Sequence, residues 1–129
     1  MGTVAKAFMG KEKFYTDVLV SHHLLHTDEP EENGGGDRAP KPMDLLCSAL
    51  ASCTVMTLRM YADRKGWNVG EIKADFWIDR EEGVYHKRIA FPGAELDESQ
   101  TKRLLEVADK CPVSKFLLSS PRVETTLDF

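Results

Sequence analysis

Three cysteines, Cys47, Cys53 and Cys111, are the residues whose side chains could give this chain a chemistry of its own. A thiol reacts as its thiolate, which needs a lowered pKa and access to the reagent. A thiolate that meets an oxidant becomes a sulfenic acid. A second thiol nearby condenses with it to a disulfide, releases water and protects the first sulfur from further oxidation. Cys53 and Cys111 lie 58 residues apart, so whether they can act as such a pair depends on the fold. The residues alone leave both outcomes open. Cys53 sits in Leu50-Ala51-Ser52-Cys53-Thr54-Val55-Met56, and a cysteine in an apolar helix is usually an inert small hydrophobe. Cys111 precedes Pro112, which disfavours the helical region at the cysteine and gives it an unusual backbone. Cys47 comes six residues before Cys53, about 240° around a helix, so it points to a different face and reads as core. The odd count and the lack of a C-x-x-C pair argue against a disulfide framework, a zinc ribbon or a thioredoxin-like site.

The elements that must position these thiols follow from the apolar pattern. Residues 3–26 are strand-rich, with Phe14, Thr16, Val18 and Val20 alternating with their neighbours, and a hairpin is expected near Gly10. Residues 27–41 contain Gly34-Gly35-Gly36 and no expected core residue; they read as a mobile connector or as a loop that approaches something closely. A long helix is expected from 42 to about 65. Pro42 suits its first turn, Asp44 complements the helix dipole, and Gly66 ends it after Arg64 and Lys65. Its apolar residues run nearly all round, so it should be buried on most sides, by a sheet and another helix or by a second subunit. Strands are expected over 68–79 and 84–91. A helix capped by Asp97 or Ser99 should occupy 97–110, a short helix should start at Pro112, and a closing strand should span 123–127. Strands, long helix, strands, interrupted helix and strand make an α+β order rather than an alternating one.

At 129 residues the chain reads as one domain, 1–129, with an ordinary apolar share of 42%. A net charge of −4 with mixed signs is not the basic footprint of a nucleic-acid binder. No run of about 18 continuous apolar residues suggests a membrane span. The N-terminal stretch lacks the apolar core of a secretory signal, and Lys6 stands where a myristoylation signal needs Ser or Thr. The expected location is therefore the cytoplasm, with neither nucleic acid nor membrane as a partner.

Pro42-Met43-Asp44-Leu45-Leu46, followed by Ala49-Leu50-Ala51-Ser52-Cys53-Thr54, resembles the first signature of the OsmC/Ohr family. Cys111-Pro112-Val113-Ser114-Lys115 resembles its second. The Gly-rich loop before the long helix and Phe91-Pro92-Gly93 before the second helix also fit, so the resemblance covers nearly the whole chain. It implies antiparallel sheets wrapped around a long central helix, in an intertwined homodimer with each site at the subunit interface. It also implies the reduction of organic hydroperoxides, and in some members hydrogen peroxide. By position Cys53 would be the peroxidatic thiol and Cys111 the resolving one. Their disulfide would be re-reduced by a dithiol, in some members a lipoylated protein, with no metal or organic cofactor. The family activates its first thiolate with an arginine and an acidic residue. Asp44 is the acidic candidate here, although nine residues before Cys53 it falls on the opposite side of the helix. Arg38 is the nearest arginine, since the strands before it contain none, and Ser114 stands where a histidine is common. A non-enzymatic dimer that senses redox state or binds a hydrophobic ligand is the alternative these departures favour.

Other candidates are weaker. Met43 and Met56 could line a pocket for an apolar peroxide, against plain core packing. His22 and His26 would lie about 13 Å apart on one side of a strand, too far to share an ion directly, so no metal site is expected.

Overall fold

The computed structural model describes residues 2–128, an α+β chain of antiparallel sheets and helices. It divides into two compact units between Leu46 and Cys47.

In the first unit, β1 (Ala5–Met9), β2 (Thr16–Val20) and β3 (His23–Thr27) form one antiparallel sheet in that order. The expected hairpin after Met9 joins β1 to β2. A second, tight turn at Ser21-His22 divides what reads in sequence as a single strand-rich stretch. Ser21 adopts φ 57°, the left-handed conformation that such hairpin turns require. The loop that follows holds a core residue after all. Asp28 is buried, and its carboxylate accepts hydrogen bonds from the Glu29 N–H at 2.8 Å and the Arg38 N–H at 3.1 Å. These backbone donors, Arg38 first, outweigh desolvation and hold its carboxyl below the ordinary carboxylate value. The glycine run is a matter of close approach, because a Cβ on Gly35 would stand 2.0 Å from the Glu29 carbonyl oxygen.

Helix α1 (Pro42–Lys65) has the expected bounds, and Gly66 follows it at φ 71°. Its buried residues are Leu50, Thr54, Leu58 and Ala62, a single stripe at four-residue spacing. The expected burial on most sides is not reached within this chain. Met56 and Met60 are 58% and 64% exposed, because the stripe covers one face of a helix that is apolar nearly all round. By length and composition alone α1 would also pass for a membrane span.

In the second unit, β4 (Lys73–Asp79) and β5 (Val84–Ala90) form an antiparallel hairpin. β4 starts later than the pattern suggests. Gly66 and Gly70 both take positive φ and prevent extended pairing over 68–72, where Val69 packs into the core instead. Helix α2 (Glu98–Ala108) is capped by Asp97, whose side chain accepts from the Gln100 N–H while the Gln100 side chain accepts from the Asp97 N–H. Helix α3 (Pro112–Leu118) follows the break at Cys111. Leu58, Ala62, Val69, Leu104, Val107 and Ala108 form the core of this unit. The expected closing strand over 123–127 does not form, and Val123 is 89% exposed. A strand needs a partner edge, and no strand pairs with this segment among the described residues.

Candidate thiol site

Each part of the site is placed by a local rule. Thr54 belongs to the buried stripe of α1, and Cys53 precedes it in the same turn, half-buried. Pro112 holds Cys111 in extended backbone, φ −65° and ψ 146°, where it caps α3. Strand alternation on β5 puts Tyr85, Lys87 and Ile89 on one face, and across the hairpin Lys87 pairs with Phe76.

These elements converge on Cys111, which is fully buried. Its Sγ lies 3.0 Å from Ser114 Oγ, 3.5 Å from Thr54 Oγ1, 3.4 Å from the Ser114 N–H nitrogen and 4.0 Å from Lys87 Nζ. Cys53 is also among the neighbours that hold its thiol down, so the structure brings near each other two cysteines that lie far apart in sequence. Burial on its own would push the Cys111 thiol up. Hydrogen bonds from the Ser114 hydroxyl, the Thr54 hydroxyl, the Ser114 N–H and Cys53 prevail and lower it from 9.0 to about 7. Lys87 is itself held in place, donating to Ala108 O at 2.8 Å, Ser114 Oγ at 2.9 Å and Thr54 Oγ1 at 3.0 Å. A cavity of about 520 Å³ opens beside this cluster, with Leu50, Tyr85, Leu117 and Leu118 among its apolar lining and Lys87 and Ser114 at its polar end.

The remaining sequence candidates lie elsewhere. Arg38 serves the first unit. Its guanidinium is 2.8 Å from Glu12 and 3.8 Å from Asp28, and it stacks on Tyr15 at 4.1 Å. Asp44 is exposed in the first turn of α1. Met43 is half-buried, and Met56 lines a shallow groove with Val55, Arg59 and Ile72 rather than the cavity beside Lys87 and Ser114. His26 pairs with Asp17 at 2.9 Å and stacks on Tyr15. Cys47 is half-buried. Lys87 and the polar role of Thr54 were missed in sequence. The signal for Lys87 was present: strand alternation puts a lysine between Tyr85 and Ile89 on the apolar face.

A long helix carrying Cys53 and a Cys-Pro turn carrying Cys111 stand together in this α+β chain. The chain belongs to the OsmC-like protein family, whose profile matches residues 34–126. A Psychrobacter arcticus structure, named for osmotic stress induction and detoxification response, is 26% identical with a TM-score of 0.73, covering 90% of this chain and 89% of that one. A Legionella pneumophila organic hydroperoxide resistance protein OsmC shares the fold at 22% identity and TM-score 0.60, covering 91% and 89%. An OsmC-like protein from Mycoplasma pneumoniae shares it at 17% identity and TM-score 0.66, covering 92% and 88%. No curated protein matches the chain.

Proposed function

We propose that this protein is a thiol-dependent hydroperoxide reductase in which Cys53 and Cys111 form the redox pair. The observation that carries the reading is the nearness of Cys53 to the enclosed Cys111, whose thiol is lowered to about 7. Access divides the roles. Cys53 is half-buried, whereas Cys111 is enclosed and out of reach of a bulky peroxide. The Cys53 sulfur attacks the distal oxygen of the hydroperoxide. An S–O bond forms, the O–O bond breaks, and the alkoxide leaves as the alcohol after taking a proton. The sulfur is oxidised to sulfenic acid and the peroxide is reduced. The Cys111 thiolate then attacks the Cys53 sulfur, an S–S bond forms, and hydroxide leaves as water. An external dithiol returns both sulfurs to the reduced state by thiol–disulfide exchange. The largely apolar cavity beside Lys87 and Ser114, which neither cysteine lines, would take the organic part of such a hydroperoxide. Three of the solved structures that share the fold are named for organic hydroperoxide resistance, which agrees with this substrate class.

A homodimer belongs to the same proposal. Phe8, Leu24 and Leu25 of the N-terminal sheet, Met56 and Met60 of α1, and Val123 and Leu127 of the tail are all exposed, large apolar side chains that a second subunit would cover. One observation favours the alternative of a redox-responsive or ligand-binding dimer: the Arg38 charge is already paired with Glu12 and Asp28.

The test is to add a slight excess of cumene hydroperoxide to the reduced protein and follow free thiols by mass spectrometry. Rapid loss of both Cys53 and Cys111, abolished in Cys53→Ser, is the expected result. In Cys111→Ser a single turnover should end in over-oxidised Cys53. Parent-like thiol loss in Cys53→Ser would remove Cys53 from the reaction. Loss no faster than that of free cysteine would move the function to sensing or binding.

A further inference from the structure

Lys87 stands on the apolar face of β5, between Tyr85 and Ile89, where an ammonium costs desolvation and an apolar side chain would serve packing as well. Its three protons go to three different elements. Thr54 Oγ1 on α1 accepts at 3.0 Å, Ala108 O at the end of α2 at 2.8 Å, and Ser114 Oγ in the first turn of α3 at 2.9 Å. An ammonium has three donors, so Lys87 is fully engaged. Helix α2 has no basic residue in its own last turn, and Lys87 brings to its C-terminal carbonyl the positive charge that such an end favours. The anchors bracket the two cysteines. Thr54 follows Cys53 directly on α1, and Ala108 and Ser114 lie three residues to either side of Cys111. Only Asp109, Lys110 and Cys111 connect α2 to α3, so the turn that carries Cys111 is tied at both ends to one ammonium, and the same ammonium is tied to α1 beside Cys53.

We infer that Lys87 is a positioning residue that holds the Cys111 turn in register with Cys53 on α1 and so favours closure of the Cys53–Cys111 disulfide. The physical reason is entropic. A second sulfur reacts in proportion to its effective concentration at the first, and a turn freed from its anchors spreads over more positions. Lys87 acts through Thr54, Ala108 and Ser114, and it takes no part in the attack on a peroxide. The inference rests on the redox pair proposed above. In that reaction the loss of Lys87 should leave oxidation of Cys53 to sulfenic acid in place and slow its condensation with Cys111, so that more of the protein ends over-oxidised at Cys53.

The experiment equilibrates the protein, in a Cys47→Ala background, with mixtures of reduced and oxidised glutathione, and measures the Cys53–Cys111 disulfide by alkylation and mass spectrometry. One thiol attacks glutathione disulfide and releases one glutathione. The other then attacks the mixed disulfide and releases the second, so two protein thiols are oxidised and one glutathione disulfide is reduced. No peroxide is involved, so the result does not depend on whether the protein is a peroxidase. Lys87→Met should lower the equilibrium constant for closure about tenfold, a midpoint about 30 mV more oxidising for this two-electron couple. Thr54→Val, which keeps the shape of the side chain and removes the anchor on α1, should move the midpoint in the same direction. A loss of stability shared equally by reduced and oxidised protein cancels from this equilibrium, so a merely structural lysine would leave the midpoint in place. A Lys87→Met midpoint that matches the parent, or that moves to more reducing mixtures, overturns the inference. A parent that forms no Cys53–Cys111 disulfide in any mixture overturns it together with the pair on which it rests. Should Lys87→Met fail to fold, Thr54→Val and Ser114→Ala carry the test, and an unchanged midpoint in both overturns it equally.

Discussion

If Cys111 is a thiolate in the folded protein, the protein should become more stable as pH rises through the range in which the unfolded thiol stays protonated. The folded value is about 7 and the ordinary value 9.0. A depressed folded pKa contributes stability that is complete above the unfolded pKa and lost as pH falls through the folded one. The contribution is therefore near zero at about pH 6, about 1.4 kcal/mol at about pH 8 and a little over 2 kcal/mol at about pH 9, using about 1.36 kcal/mol per unit. The perturbation is Cys111→Ser, which keeps a small polar group at the cap of α3 but does not ionise. Urea unfolding of both proteins under reducing conditions across that range gives the comparison, and the difference between them cancels groups that titrate alike in each. The gap should widen in favour of the parent by about 2 kcal/mol between about pH 6 and about pH 9. A constant gap, or one that narrows with pH, would refute a depressed Cys111 and the hydrogen-bond argument behind it.

Other outcomes follow from packing. Leu58 is 1% exposed in the core against Val69, Leu104 and Val107, so Leu58→Ala should cost about 2–5 kcal/mol in denaturant unfolding. Gly35→Ala should disorder the loop around buried Asp28, because its Cβ would meet the Glu29 carbonyl. Faster amide exchange at Glu29 and Arg38 would report this. Gly36→Ala, whose Cβ would meet only ordinary 3.4 Å contacts with the Arg38 and Asp28 side chains, should leave that exchange nearly unchanged.

Much of this architecture was legible residue by residue. Pro42 and Gly66 bound α1 because one lacks the N–H that a first turn does not use and the other accepts positive φ. Asp97 announces α2 as its cap, and Pro112 forces the break at Cys111. These signals are local, since each depends on the backbone within a few residues. Segments that need a distant partner were read less well. The strand expected at 123–127 has the right composition, but a strand has no stability without an edge to pair with. The burial expected all round α1 reduced to one stripe, because apolar composition does not say how much surface one chain can cover.

The site divides along the same line. The two motifs single out Cys53 and Cys111 as candidates, and the proline sets the second cysteine's backbone. Only the tertiary structure decides that the two cysteines come near each other, that Lys87 reaches Cys111 from a strand 24 residues before it, and that Thr54 and Ser114 surround its sulfur. The physical reason is that thiol reactivity depends on the surrounding field and donors, and those come from α1, β5 and α3, which no local rule brings together. The sequence alone determines which atoms could react. Packing determines which of them meet.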